Sequence, residues 1–192
     1  EIISGGYYDA PLILEYNTWR AMTMLDGGNI KGNLKFDDVG QPLSTAAGNM
    51  PDIECDYDDF VLSVEVTMQQ GQRQYESEGE PVARHLGQMK KRTGKDAYCL
   101  FIAPTINNAS LAHFFALNKI GISYYGGKTK IIPLELDQFM RLVENSYNYH
   151  TQPTSHDIRQ FLDEVMRQEE LAKDENDWNE KIQNCVAQWL VA

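Results

Sequence analysis

Residues 51–67 read PDIECDYDDFVLSVEVT: five carboxylates, then an apolar run that contains a sixth, Glu65. Alternation along the run puts Phe60, Leu62, Val64, Val66 and Met68 on one side of a strand, and Val61, Ser63, Glu65 and Thr67 on the other. A carboxylate among apolar strand neighbours is costly unless it is paired or binds a cation. Alternation alone leaves two readings open. Glu65 lies on an edge or solvent face, where Glu is ordinary, or it lies on a covered face and serves a site.

The same stretch decides the local topology. IECDY and FVLSVEVT, with Asp58 and Asp59 between them, form a hairpin. An antiparallel pair sets the start of one strand beside the end of the other, so Asp52 and Glu65 can meet despite their sequence separation. Two acids at that distance repel. A divalent cation removes the repulsion, and carboxylate oxygens suit Mg²⁺, which takes one or two protein carboxylates and keeps its waters.

Outward from the hairpin, residues 11–26 (PLILEYNTWRAMTMLD) carry Leu12, Tyr16, Trp19 and Met22 at helical spacing, with Glu15 beside the stripe. GGNIKG reads as a loop leading to a short strand near NLKFD, and the Gly- and Pro-rich DDVGQPLSTAAGNMP as a turn region delivering Asp52. MQQGQRQYESEG is polar and punctuated by glycine, so a helix is expected from Pro81 through VARHLGQMKKR to a stop at Gly94. DAYCLFIAP suits a strand covered on both faces. NASLAHFFALNKIG reads as a helix capped by Asn107 or Asn108, and KTKIIPLEL as a strand whose Pro133 limits pairing on one side. The expected fold class is α/β: a central mixed sheet flanked by helices over residues 1–150, with a helical extension over 151–192 packed on the same domain. In that extension Ile158, Phe161, Leu162 and Val165 form one apolar stripe, and Trp178, Ile182, Cys185 and Trp189 a second.

The net charge of −11 argues against a protein that mainly grips a polyanion by itself. Cys55, Cys99 and Cys185 lack metal spacing and read as reduced core thiols of a cytoplasmic protein. No apolar run approaches membrane length and no signal peptide is visible, so no membrane partner is expected. A first residue of Glu points to an excised domain or an incomplete start. His113, His150 and His156 lack ligand spacing and read as structural.

Glu80 precedes Pro81 and so belongs at a helix N-terminus, as a plain cap with Ser77 or as an anion poised at a site; Arg84 lies one turn on. His85 could orient a water, but a lone helix histidine more often fills a core or surface position.

AAGNMPD, VEVT, EGEPVARH and LFIAPTIN, in that order, resemble the catalytic domain or subunit of the AlwI-like type IIS restriction and nicking endonucleases. The similarity runs from about Glu15 to KIIPLEL and thins in the tail. The Pro51-Asp52 pair followed by Glu65-x-Thr67 looks like the PD-(D/E)xK nuclease signature with its Lys replaced by Thr. The resemblance implies a restriction-endonuclease-like fold and a site of Glu15, Asp52, Glu65 and Glu80 as catalytic metal ligands, with Thr67 in the Lys position and Arg84 and Arg73 on DNA phosphates. It also implies Mg²⁺ as cofactor, with Mn²⁺ able to substitute, and a bacterial or archaeal cell. The implied partners are double-stranded DNA, a recognition domain or subunit, and a second nuclease subunit or transient dimer. A Thr hydroxyl cannot neutralise transition-state charge as Lys does; a second metal on Glu15 or Glu80, or Gln70, Gln72 and Arg73, would have to compensate. The expected function is Mg²⁺-dependent DNA cleavage with recognition supplied elsewhere. The alternative is a non-catalytic acidic interaction module of a larger assembly, its carboxylates merely solvated.

Overall fold

A computed structural model describes residues 9–25, 28–148 and 152–190. Asp26, His150 and the boundary expected near residue 150 lie outside the described residues. The elements run α1 (Ala10–Leu25), β1 (Asn29–Gly32), β2 (Lys35–Phe36), β3 (Pro42–Ser44), β4 (Ile53–Asp56), β5 (Phe60–Val66) and α2 (Gln72–Thr93). There follow β6 (Asp96–Ala103), α3 (Asn108–Lys119), β7 (Ile131–Glu135), α4 (Leu136–Asn148), α5 (Ser155–Leu171) and α6 (Glu175–Gln188).

Five strands form one mixed sheet in the order β1-β4-β5-β6-β7, and β2 pairs with β3 in a separate small ribbon. β4 runs antiparallel to both its neighbours, β1 and β5, as the hairpin reading requires, while β5, β6 and β7 are parallel, joined by the crossover helices α2 and α3. β6 is buried on both faces, and β7, carrying Pro133, is one of the two edge strands. Asn107 caps α3 through its side chain, worth about 1 kcal/mol.

Strand alternation assigns the two faces. Phe60, Leu62 and Val64 pack with Met22 of α1, Phe139 of α4, Phe161 of α5 and Trp178 of α6 in the larger core. Val61, on the opposite face, joins Val82, Ala83 and Leu86 of α2, Cys99 and Phe101 of β6, and Phe114 of α3. Both faces of β5 are therefore covered, and the solvent-face reading of Glu65 is overturned: it is 7% exposed on the α2 side.

Two local expectations are corrected. GGNIKG is not only a loop, because Asn29–Gly32 pairs with β4 as an edge strand. More consequentially, α2 begins at Gln72 rather than Pro81, so Pro81 lies inside the helix and Glu80 is not at its N-terminus. The polar run hid the helix because its inward positions are Gln74, Glu78 and Gly79, which carry no hydrophobic period. Fully buried Gln74 donates to the Gln69 and Thr105 carbonyls at 2.9 and 2.8 Å and accepts from the Asn107 amide at 2.8 Å, stapling the first turn to two loops. Gly79 lies against the His113 ring, where an added Cβ would come within 3.3 Å. Pro81 deprives the Ser77 carbonyl of its helical donor, and exposure of Ser77 to water makes that tolerable. The proposed Ser77 cap is absent: its hydroxyl donates to the Arg73 carbonyl inside the helix. Gly94, left-handed at φ 68°, ends α2 as expected, its amide on the Lys90 carbonyl.

Candidate active site

The register of β4 on β5 pairs Ile53 with Val64, so one step further along the ladder Asp52 stands opposite Glu65. Asp52 is fixed from both sides. Its carbonyl accepts from the Asn33 amide at 2.9 Å, the Asn33 side chain holds the Pro51 carbonyl at 2.8 Å, and its carboxylate accepts from the Val66 amide at 2.7 Å. Glu15 of α1 is 3% exposed and arrives from the other side of the chain, accepting the Ala46 amide at 3.0 Å.

Helix α2 supplies the rest. Glu78, Val82, His85 and Met89 fall on one stripe of the helix. Thr67 donates its hydroxyl to Glu78 at 2.8 Å and accepts the Gln69 amide at 3.1 Å. His85 Nδ1 is 3.0 Å from Glu65 Oε1, with both side chains buried.

Glu15, Asp52, Glu65 and Glu78 thus share one field. Burial, then repulsion from Asp52, pushes the Glu15 carboxyl up to about 8. Burial pushes Asp52 up to about 7, opposed by the Val66 amide and reinforced by Glu78. Burial raises Glu65 well above the usual carboxylate range, and Asp52, Glu78 and Glu15 all add to it, while Arg84 acts against them. His85 is lowered, first by burial and then by the Arg84 charge. Burial thus disfavours the charged form of both members of the Glu65–His85 pair.

Of the residues expected from sequence, Glu15, Asp52 and Glu65 are brought together and Thr67 stands at their margin. Glu80 is not: its side chain is half exposed and pairs with Arg84 at 3.2 Å. Residues two apart on a helix face different ways, so with Glu78 turned inward Glu80 points elsewhere. Arg73 is exposed on the same outer line of α2 as Glu80 and Arg84. Glu78 and His85 went unassigned in the sequence; the signal that could have found them is the inward polar line Gln74, Glu78, His85, continuous with apolar Val82, Leu86 and Met89. His113 packs against Tyr75 and Phe114, His156 is exposed, and all three cysteines are free thiols, with Cys55 and Cys99 buried.

The raised carboxyls set the sign of a pH effect. Between the ordinary carboxylate range and about 8 the folded state holds protons that the unfolded chain has released. Stability of the metal-free protein is therefore full below pH 4 as far as these groups go and falls as pH rises through about 7 to 8. Thermal melts in a chelator from pH 5 to 8.5 should show a falling Tm, and a flat or rising curve would contradict the shared field.

Each of the four carboxylates has one oxygen engaged by a different neighbour, and among the described residues no three Asp, Glu, His or Cys side chains converge as a ready-made metal cage. The donors are nonetheless all hard oxygens, and a paired site of the Asp52–Glu65 kind meets the modest demand of Mg²⁺ on protein ligands.

The mixed sheet carries acids at the ends of two adjacent strands and helices on both faces, an arrangement that can be compared with known folds. Among solved structures, the small subunit of the heterodimeric restriction endonuclease R.BspD6I matches with a TM-score of 0.78 and 25% identity over 98% of each chain. The family model of the AlwI restriction endonuclease matches residues 3–142, and the chain belongs to that family. Comparison with curated protein sequences gives no significant match. Among the described residues no helix is long and apolar enough to cross a membrane.

Proposed function

We propose that this protein is the cleavage subunit or domain of a type IIS-like restriction or nicking endonuclease, hydrolysing a DNA phosphodiester bond with Mg²⁺ or Mn²⁺ while a partner subunit or domain supplies sequence recognition. The observation that carries this reading is the Asp52–Glu65 pair, in register across β4 and β5, with Glu15 and Glu65 buried and Asp52 and Glu78 half-buried in one repulsive field. The alternative of a merely solvated acidic surface does not account for carboxylates 3% and 7% exposed. The likeness to a subunit of a heterodimeric enzyme supports a partner that delivers this chain to DNA.

Asp52 and Glu65 would hold the ion, with Glu78 and Glu15 completing the set. A divalent ion so held supplies a polarised phosphoryl oxygen and an activated water. The chain's own groups prepare for it. The Val66 amide and His85 each fix one oxygen of a ligand, Thr67 anchors Glu78, and Arg84, close enough to act on Glu65, would meet a phosphate.

Thermal denaturation with and without Mg²⁺ or Ca²⁺ tests the site directly. A cation at about one hundred times its Kd adds about 2.7 kcal/mol, which for a chain of this size raises Tm by about 5–10 °C. No shift, or an equal shift with NaCl at matched ionic strength, would leave the carboxylates without a metal role. Joined to a recognition partner, the chain should nick plasmid DNA only with the divalent ion present.

A further inference from the structure

The charge of this chain is unevenly distributed. Residues 81–134 contain eight Lys or Arg and one acid, Asp96, a local balance of +7, against −18 over the remainder. Five of these eight cations are already paired: Arg84 with Glu80, Arg92 with Glu54, Lys95 with Asp56, Lys119 with Glu169 and Lys130 with Asp96. Lys90, Lys91 and Lys128 have no ion-pair partner among the described residues, and they lie together.

They are assembled by a tight loop pressed on α2. Ile122 and Gly127 bridge across it, with Gly126 and Gly127 at φ 79° and 98° making the turn. Its backbone meets α2 at Gly87, where an added Cβ would come within 2.7 Å of the Tyr125 carbonyl oxygen. Lys91 donates to the Tyr124 carbonyl at 2.8 Å and lies over its ring at 6.0 Å, while Lys90 reaches the Lys128 carbonyl at 3.4 Å. Tyr124 is 62% exposed, and Lys91 and Lys128 are exposed. Arg84 and Lys91 lie on one line of the helix, about 10 Å apart at 1.5 Å per residue, equal to about three base-pair steps measured along a duplex axis. A line of cations thus leads away from the acidic cluster. The only acid on that line of α2 is Glu80, paired with Arg84.

We propose that Lys90, Lys91, Lys128 and Tyr124 form a phosphate-binding surface that holds the sugar-phosphate backbone of duplex DNA and, with Arg84, leads one strand into the Asp52–Glu65 cluster. Lysines give charge neutralisation independent of sequence, and a tyrosine hydroxyl adds a positioning hydrogen bond. This inference rests on the cleavage reading. It also reconciles that reading with an acidic chain: a few unpaired cations suffice to orient a duplex, and too few are present to bind one tightly without a partner.

The test is fluorescence anisotropy of the full chain on a short duplex of arbitrary sequence, with Ca²⁺, across a range of KCl. Three phosphate contacts predict a slope of log K against log salt of about −3. Lys90→Gln/Lys91→Gln/Lys128→Gln should flatten it to near zero and weaken low-salt binding about tenfold or more, while the three Lys→Arg replacements retain both. The Ca²⁺-dependent rise in Tm should be the same in all three proteins. A Gln variant with wild-type slope and affinity overturns the proposal, as does a wild-type chain with no salt-dependent binding. Loss of association with the recognition partner in sedimentation, with DNA binding intact, would assign the surface to a protein instead. If no protein shows the Ca²⁺ shift yet the slope still flattens, the cleavage reading fails and the DNA surface stands.

Discussion

Asp52→Asn is expected to abolish metal-dependent cleavage, by about a thousandfold or more, while the protein remains folded. The amide oxygen can still accept the Val66 amide that the carboxylate accepts at 2.7 Å, so the end of β5 keeps its support and only the charge is lost. Loss of that charge should also help the metal-free fold. Asp52 sits at about 7 because burial and Glu78 disfavour its ionised form, so at pH 8 the native wild-type protein carries an unfavourable buried carboxylate. The variant should melt higher than wild type at pH 8 in a chelator, with the difference shrinking as pH falls from about 7 towards the ordinary Asp value of 3.8. It should then gain nothing from Mg²⁺ or Ca²⁺. Glu65→Gln should behave alike, since the amide can donate to or accept from His85 whichever ring nitrogen is protonated. A site that loses activity while becoming more stable separates a ligand from a core residue, and retention of cleavage by either variant would remove the pair from the mechanism.

The acids at the centre were legible in sequence because strand alternation and hairpin register are strong, local rules. A charge at one position of an apolar β5, and another at the start of β4, could be placed on one face without knowing what covered it. Alternation could not say that the face was covered, because the cover is α2, whose first half has no apolar period. Nor could periodicity find a helix whose inward residues are Gln74, Glu78 and Gly79; that segment is held by long-range hydrogen bonds from Gln74 to loops after β5 and β6. Pro81 then drew the boundary to the wrong place, since a proline usually opens a helix and here sits inside one. β1 was missed for a related reason. A four-residue edge strand with alternating exposed and half-buried positions carries little hydrophobic signal.

The displaced helix start bears on which acid of α2 belongs to the site. Glu78→Gln is expected to lower cleavage about a hundredfold and to raise the Mg²⁺ concentration required, whereas Glu80→Gln should change it by less than about threefold. Three observations favour Glu78. It receives the Thr67 hydroxyl at 2.8 Å, it raises both Asp52 and Glu65 through its charge, and it shares a helical stripe with His85. Glu80 is half exposed and answers to Arg84. Thr67, in the position that the signature resemblance assigns to Lys, would then orient a carboxylate in place of neutralising charge. Thr67→Val, which keeps the shape and removes the donor, should cost about tenfold in activity and nothing further once Glu78 is Gln, because the two act through one bond. The reverse pattern, an inactive Glu80→Gln and an active Glu78→Gln, would mean that α2 turns or shifts when metal and DNA bind, and would return Glu80 to the site that its sequence position first implied.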